Sequence, residues 1–238
     1  FSQKKKGIIP EFLEYYYNKR VVIKKDLFKA KQKLKKLKQD TSEYINAKYE
    51  VERLNTSQMV IKILINSCYG YMGNKHAPIG DDDIASSVTL TGQAVIKYSN
   101  ELIKQFIKKE VPTISDRDLE ECIIYNDTDS SYVTITPLIE QGVKFLDGED
   151  IHKETLDKIQ EIEDYLNQGV GEWAKKALLT KDSRFIFKRE CIADVGVFLQ
   201  KKRYVMHILD DEGIKENKFK YTGVEVVRTT MPNAIKPY

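Results

Sequence analysis

The sequence predicts an α/β chain of the α+β type, with a long antiparallel helical hairpin attached to a mostly antiparallel sheet with packed helices. Two observations predict it. Residues 11–69 contain neither Gly nor Pro, so long helices can run there unbroken. From Cys122 onward, short β-branched and aromatic runs alternate with turns rich in Asp and Gly, the pattern of strands and hairpins. With 238 residues the chain can form one large or two small domains. The expected division is a hairpin over residues 1–74 and a mixed body over 75–238, with a helical insertion at about 138–181.

Pro10 is suited to the start of the first helix, which is expected over roughly Glu11–Lys38. Leu13, Tyr16, Tyr17, Ile23, Leu27, Leu34 and Leu37 recur at loose helical spacing, and Lys fills the other faces. Asp40-Thr41-Ser42-Glu43 reads as a polar turn with capping residues. A second helix is expected over Glu43–Tyr71. Two long helices joined by a short turn make an antiparallel hairpin, and a coiled-coil arm would fit the same pattern. Near its end Lys62, Asn66 and Tyr69 share one face, with Ile61, Leu64, Ile65 and Cys68 opposite. A cation, an amide and an aromatic on one stripe could hold a triphosphate, a sugar and a base. The plainer alternative is an amphipathic helix whose polar face carries those residue types.

A loop over Lys75–Asp83 ends in Asp81-Asp82-Asp83, carboxylates that suit a helix N-terminus. The next helix is expected over Ile84–Lys109, with Val88, Val95, Leu102 and Phe106 inward. Then comes Tyr125-Asn126-Asp127-Thr128-Asp129-Ser130, an acidic turn between strands at Cys122–Tyr125 and Ser131–Thr136. Aspartate is ordinary in a turn, but two of them around one Thr repel each other. A divalent cation with a taste for hard oxygen ligands would relieve that repulsion; an exposed acidic turn is the alternative. Residues 138–179 read as helical, interrupted at Gly169 and Gly171. Strands are expected over Phe185–Ile192, Val197–Leu209 and Phe219–Thr222, with a hairpin turn at Asp210–Gly213. The middle strand carries Lys201-Lys202-Arg203-Tyr204. Its cations cannot all face a core, so one side meets solvent or a polyanion.

Bulk composition excludes more than it assigns. The chain is 41% hydrophobic and 32% charged with a net charge of +3, so bulk charge does not single out a polyanion partner. The distribution does, with thirteen Lys or Arg against three acids between Lys4 and Lys38. Cys68, Cys122 and Cys191 form no CxxC pair, which excludes a zinc ribbon or disulfide framework and implies buried thiols in a reducing compartment. No apolar run approaches the ~20 residues of a membrane helix, and no signal-peptide pattern is present, so a cytoplasmic location without membrane contact is expected. Phe1 in place of Met implies a fragment of something longer.

Three motifs then stand in one order: Lys62-x-x-x-Asn66-Ser67-x-Tyr69-Gly70, Tyr125-x-Asp127-Thr128-Asp129-Ser130 and Lys201-Lys202-Arg203-Tyr204. With weaker echoes at Ala85-x-x-Val88-Thr89-x-x-Gly92-Gln93 and Gly223-Val224-Glu225, the chain resembles the family B DNA-directed DNA polymerases, most of all those of tailed DNA phages. The resemblance implies that the hairpin is the fingers and the sheet part of the palm. It makes Lys62 a triphosphate ligand with Asn66 beside it, and puts Ser67, Tyr69 and Gly70 where the nascent base pair packs. Arg20 and Lys24, at i and i+4 on the first helix, resemble residues that reach the β- and γ-phosphates. Asp129 resembles the palm carboxylate that holds two Mg²⁺ ions, with Asp127 less directly engaged and Glu190 an acidic neighbour of the metal site. Lys202, with Lys201, Arg203 and Tyr204, resembles the element that grips the primer terminus, and Arg228 a later backbone contact.

The implied activity is template-dependent addition of dNTPs to a primer 3′ end in DNA replication, by two-metal nucleotidyl transfer. The implied partners are primer–template DNA, dNTP, and the remaining polymerase segments (N-terminal palm and exonuclease, thumb) in cis or as a split subunit. The sequence lacks the Asp-x-x-Ser-Leu-Tyr-Pro motif that supplies a second palm aspartate. The chain is therefore expected to carry half a metal site and to be inactive alone. The alternatives are a non-catalytic DNA-binding subunit or decayed polymerase module, and a helical interaction arm on an unrelated α/β domain.

Overall fold

The computed structural model describes residues 5–39 and 41–225. The chain divides into two compact units, Phe1–Thr89 and Leu90–Tyr238. The first is built on α1 (Ile8–Lys35) and α2 (Ser42–Met72), which pack on each other through buried Leu27, Leu54, Ile61 and Met72. Each helix starts within a turn of its expected place. The Thr41 hydroxyl accepts from Tyr44 N at 3.1 Å and caps α2; Asp40 of the same turn lies outside the described residues. Leu64 does not face inward with Ile61, being 38% exposed. With only one partner helix, the buried stripe of α2 is narrow.

After α2 the chain doubles back, with Asp81 N donating to Met72 O at 2.8 Å. The Asp81 carboxylate accepts from Asp83 N and Ile84 N, so it caps α3 (Asp82–Glu110). The boundary between the units falls inside α3. Val88, expected inward, is half-exposed, whereas Val95, Leu102 and Phe106 are buried: the core that α3 serves begins near Val95.

In the second unit α3 is followed by α4 (Asp116–Glu121), β1 (Ile123–Asp127), β2 (Ser130–Val133) and α5 (Thr136–Glu140). Next come β3 (Leu146–Asp147), β4 (Asp150–Ile151), α6 (Lys153–Ala177), β5 (Cys191–Gln200), β6 (Arg203–Asp211) and β7 (Ile214–Thr222). Every strand pairing is antiparallel: β1 with β2, β3 with β4, and β5-β6-β7 in order. The α+β expectation is borne out. The main core joins Val95, Leu102, Ile103 and Ile107 of α3 to Leu166 and Val170 of α6, with Val111, Ile114, Cys122 and Leu138 around them. The cysteines are free, Cys122 buried and the other two half-buried.

Four local readings change. Residues 138–179 are not one helical run, because a small hairpin, β3–β4, stands between α5 and α6. Second, α6 passes through Gly169 and Gly171 without a break. A Cβ at Gly169 would lie 2.6 Å from Leu102 Cδ1, so this glycine lets two helices approach closely. Third, Phe185–Glu190 alternates like a strand yet joins no ladder. Helix side chains take the partner strand's role: Asn167 receives Phe187 N and donates to Phe187 O, and Glu163 accepts from Arg189 N. Last, Val197–Leu209 is two strands, with Lys201 and Lys202 as the turn between β5 and β6.

One histidine clasps all three strands of the larger sheet. His207 Nδ1 lies 2.8 Å from Asp194 Oδ1 on β5, and Nε2 lies 2.8 Å from Asn217 Oδ1 on β7. Both nitrogens face oxygen, an arrangement an imidazolium satisfies. The bond to Asn217 raises its pKa most, followed by that to Asp194.

Three outcomes follow. Gly171, open on its Cβ side apart from Ser183 at 3.9 Å, should tolerate Ala with a gain of up to about 1 kcal/mol in urea unfolding. Gly169→Val should instead cost about 1–3 kcal/mol, partly recovered by adding Leu102→Ala. Because the His207 pKa is raised on folding, the clasp contributes fully below the unfolded value near ~6.5 and is lost as pH rises through the folded value. The stability gap between wild type and His207→Gln should therefore shrink from pH 5.5 to pH 8.5; a constant gap would refute the clasp.

Candidate active site

The acidic turn is tighter than its sequence suggests. Asp127 pairs with Ser130 at the end of the β1–β2 ladder, leaving Thr128 and Asp129 as a two-residue loop. Asp129 N donates to Asp127 O across Thr128, which sits at φ 50°. That left-handed conformation costs a β-branched residue about 1–2 kcal/mol. Local bonds hold it: Thr128 Oγ1 donates to Asp127 Oδ1 at 3.1 Å, and Ser130 Oγ to Asp127 O at 3.1 Å. Strain of this kind gathers where side chains must be aimed.

The two aspartates have different surroundings. Asp127 is half-buried and lies 3.3 Å from Lys202 Nζ. Asp129 is exposed, and its carboxylate has no side-chain partner among the described residues. The turn therefore offers one free hard-oxygen ligand and one shared with a lysine. That chemistry suits a hard divalent cation, although no group of three His, Cys, Asp or Glu converges among the described residues.

Lys202 reaches this turn from 75 residues away because the β5–β6 turn is tied to the β1–β2 hairpin. Lys202 N donates to the Tyr125 hydroxyl at 2.8 Å. Behind it the rings of Tyr125, Tyr132, Phe198 and Tyr204 meet at centroid distances of 5.3 to 6.0 Å. The Tyr132 and Tyr204 hydroxyls are 2.7 Å apart. Burial, then that bond, push the Tyr132 phenol far above its ordinary pKa, so it stays neutral. Tyr204 is buried inside this cluster, while Lys201 and Lys202 are exposed at the turn.

The segment after β7 closes on the same turn. Gly223, at φ +59°, would bring a Cβ within 2.0 Å of Lys202 O, and Arg203 lies 3.6 Å from Glu225. Glu190 stands just before β5, 3.3 Å from Lys220 Nζ. Partial burial opposes the Lys220 charge, but Glu190 and its neighbours outweigh it and raise the pKa. Arg228 lies outside the described residues.

In the first unit Lys62, Asn66, Ser67 and Tyr69 are exposed along α2. Ser67 Oγ donates to Ile63 O at 2.8 Å, so its hydroxyl serves its own helix. On α1 Arg20 and Lys24 are half-buried, and Arg20 Nη2 donates to Gln58 Oε1 at 3.1 Å. Sequence reading missed Gln58, the aromatic cluster and the steric role of Gly223. Gln58 could have been found, since it lies four residues before Lys62 on the same helix.

Residues 1–147 match the family model of DNA polymerase family B. The chain belongs to that family. It is 28% identical over 199 residues to the DNA-directed DNA polymerase of Escherichia phage RB69, covering 76% of this chain and 21% of that protein. It is 30% identical over 207 residues to the DNA polymerase of Thermococcus gorgonarius, covering 85% and 20%. The solved family B DNA polymerase of Pyrobaculum calidifontis aligns at a TM-score of 0.43 and 20% identity, over 94% of this chain and 21% of that one. The chain thus spans about a fifth of the length of the curated relatives it matches. The span that matches the family model includes the acidic turn.

Gly223→Ala should destabilise the second unit by about 2–4 kcal/mol, because it adds both a left-handed side chain and a clash. Chemical denaturation measures it; an unchanged midpoint would refute the close approach.

Proposed function

We propose that the chain is the fingers (residues 1–74) and part of the palm (75–238, with an insertion at about 138–181) of a template-dependent DNA polymerase. The reading rests on one observation above others: the unpartnered Asp129 carboxylate stands two residues from Asp127, which is bridged to Lys202. A metal-binding carboxylate and a DNA-backbone cation at one spot are what nucleotidyl transfer needs. Two divalent ions, Mg²⁺ in our reading, supply stabilisation of the attacking 3′-oxygen and the leaving pyrophosphate when bound. In this reading Asp129 would hold them, with Asp127 and Glu190 in supporting parts, although no three such groups converge among the described residues. Lys202, flanked by Lys201 and Arg203, binds the primer backbone and carries no sequence information, as copying any template requires; Tyr204 supports the turn from beneath, and Arg228 adds a later backbone contact.

On the fingers, Lys62, Arg20 and Lys24 neutralise the triphosphate, and Asn66, Ser67 and Tyr69 line the place of the incoming nucleotide. Catalysis of this kind is mostly positioning and charge, so these residues need no nucleophile of their own. The partners are primer–template DNA, dNTP and further polymerase segments that complete the site; the 238-residue chain by itself is expected not to extend a primer. No described helix is long and apolar enough to cross a membrane.

The test uses the polymerase completed with the segments its relatives carry. Asp129→Asn should reduce primer extension by roughly a hundredfold or more and leave DNA binding intact. Lys62→Ala should raise KM for dNTP. Lys202→Ala should weaken primer–template binding and lower its salt dependence by about one phosphate contact. Full activity in Asp129→Asn would end the metal-ligand reading, and exchanged phenotypes for the two lysines would reverse the assignment of fingers and palm.

A further inference from the structure

Gln58 is an amide on α2 that is only 8% exposed. Its Oε1 accepts from Arg20 Nη2 at 3.1 Å, and its Nε2 donates to Asn55 Oδ1 at 3.1 Å. The amide therefore cannot turn over without losing both bonds. Arg20 Nε is buried with no hydrogen-bond partner, and among the described residues Arg20 has no carboxylate partner. A partly buried guanidinium is ordinarily matched by an acid. Here a neutral amide fixes its orientation and leaves its charge whole.

We infer that Gln58 is a positioning residue for an anion, holding Arg20 aimed and fully charged toward the oxygens of a nucleoside triphosphate. It rests on the triphosphate reading of Arg20 and Lys62 given above. Gln58 sits one helical turn before Lys62 and two before Asn66, so α2 carries both a ligand and the support of a ligand on α1. The neutrality of the acceptor matters as much as its geometry. A carboxylate in its place would bind Arg20 more strongly and cancel the charge that the anion needs.

The experiment titrates the 238-residue chain with inorganic tripolyphosphate by calorimetry, alongside Arg20→Ala, Gln58→Glu and Gln58→Met. Gln58→Glu should weaken binding on the order of tenfold or more while its thermal midpoint stays at or above wild type. Gln58→Met should weaken binding less and lower the midpoint. A purely structural glutamine would differ in binding alone, which Gln58→Glu would then preserve. Wild-type binding by Gln58→Glu, with Arg20→Ala weakened, overturns the inference alone. No binding by the wild-type chain, or none lost in Arg20→Ala, overturns the triphosphate reading and the inference with it. Should Gln58→Glu fail to fold, Gln58→Met decides, and unchanged binding there refutes the role of the amide.

Discussion

Four aromatic rings fix the geometry of the second unit's site. Tyr125 and Tyr132 come from the β1–β2 hairpin, Phe198 and Tyr204 from β5 and β6. A two-stranded hairpin alone is marginal in water. This one gains a packed face, and the larger sheet gains a covering over Tyr204, Met206 and Ile208. The rings are rigid and large, so the two turns at their rim are held in a fixed relation. Without that packing, the acidic turn and the lysine turn would be separate exposed loops.

Around this joint the backbone is kept in conformations that few residues accept. Thr128 and Lys202 both have positive φ, and Gly223 does so where a side chain would not fit. Each lies at a turn that faces the same region of the unit. Elsewhere in the described residues, positive φ occurs at the hairpin turns of Gly148 and of Glu212–Gly213, and just past helix ends at Gly142 and Leu179. The concentration of strain beside Asp127 and Asp129 fits a site whose side chains must be aimed.

Much of the fold was legible in the sequence because its signals are local. The long run without Gly or Pro gave α1 and α2, and Asp-rich turns between β-branched runs gave β1–β2 and the β6–β7 hairpin. What failed was decided by partners distant in sequence. Gly169 reads as a helix breaker until Leu102 is placed against it. Phe185–Glu190 reads as a strand, yet its backbone is satisfied by Asn167 and Glu163. At the site, residue types and spacing revealed the aspartates and lysines. The bridge from Asp127 to Lys202 was not legible, since it depends on ring packing between elements more than 60 residues apart.

Lys202 is anchored twice, by bonds of unlike character. Its amide is fixed to the Tyr125 hydroxyl, next to a buried cluster, while its ammonium meets Asp127 from a side chain that is 61% exposed. An exposed ion pair of this sort contributes little, about 0–1 kcal/mol. The residue is thus a fixed post with a free arm. Its ammonium can exchange one anion for another at almost no cost, and the backbone beneath need not move when it does. Asp127 is then the arm's resting place, and its carboxylate is released whenever the arm leaves.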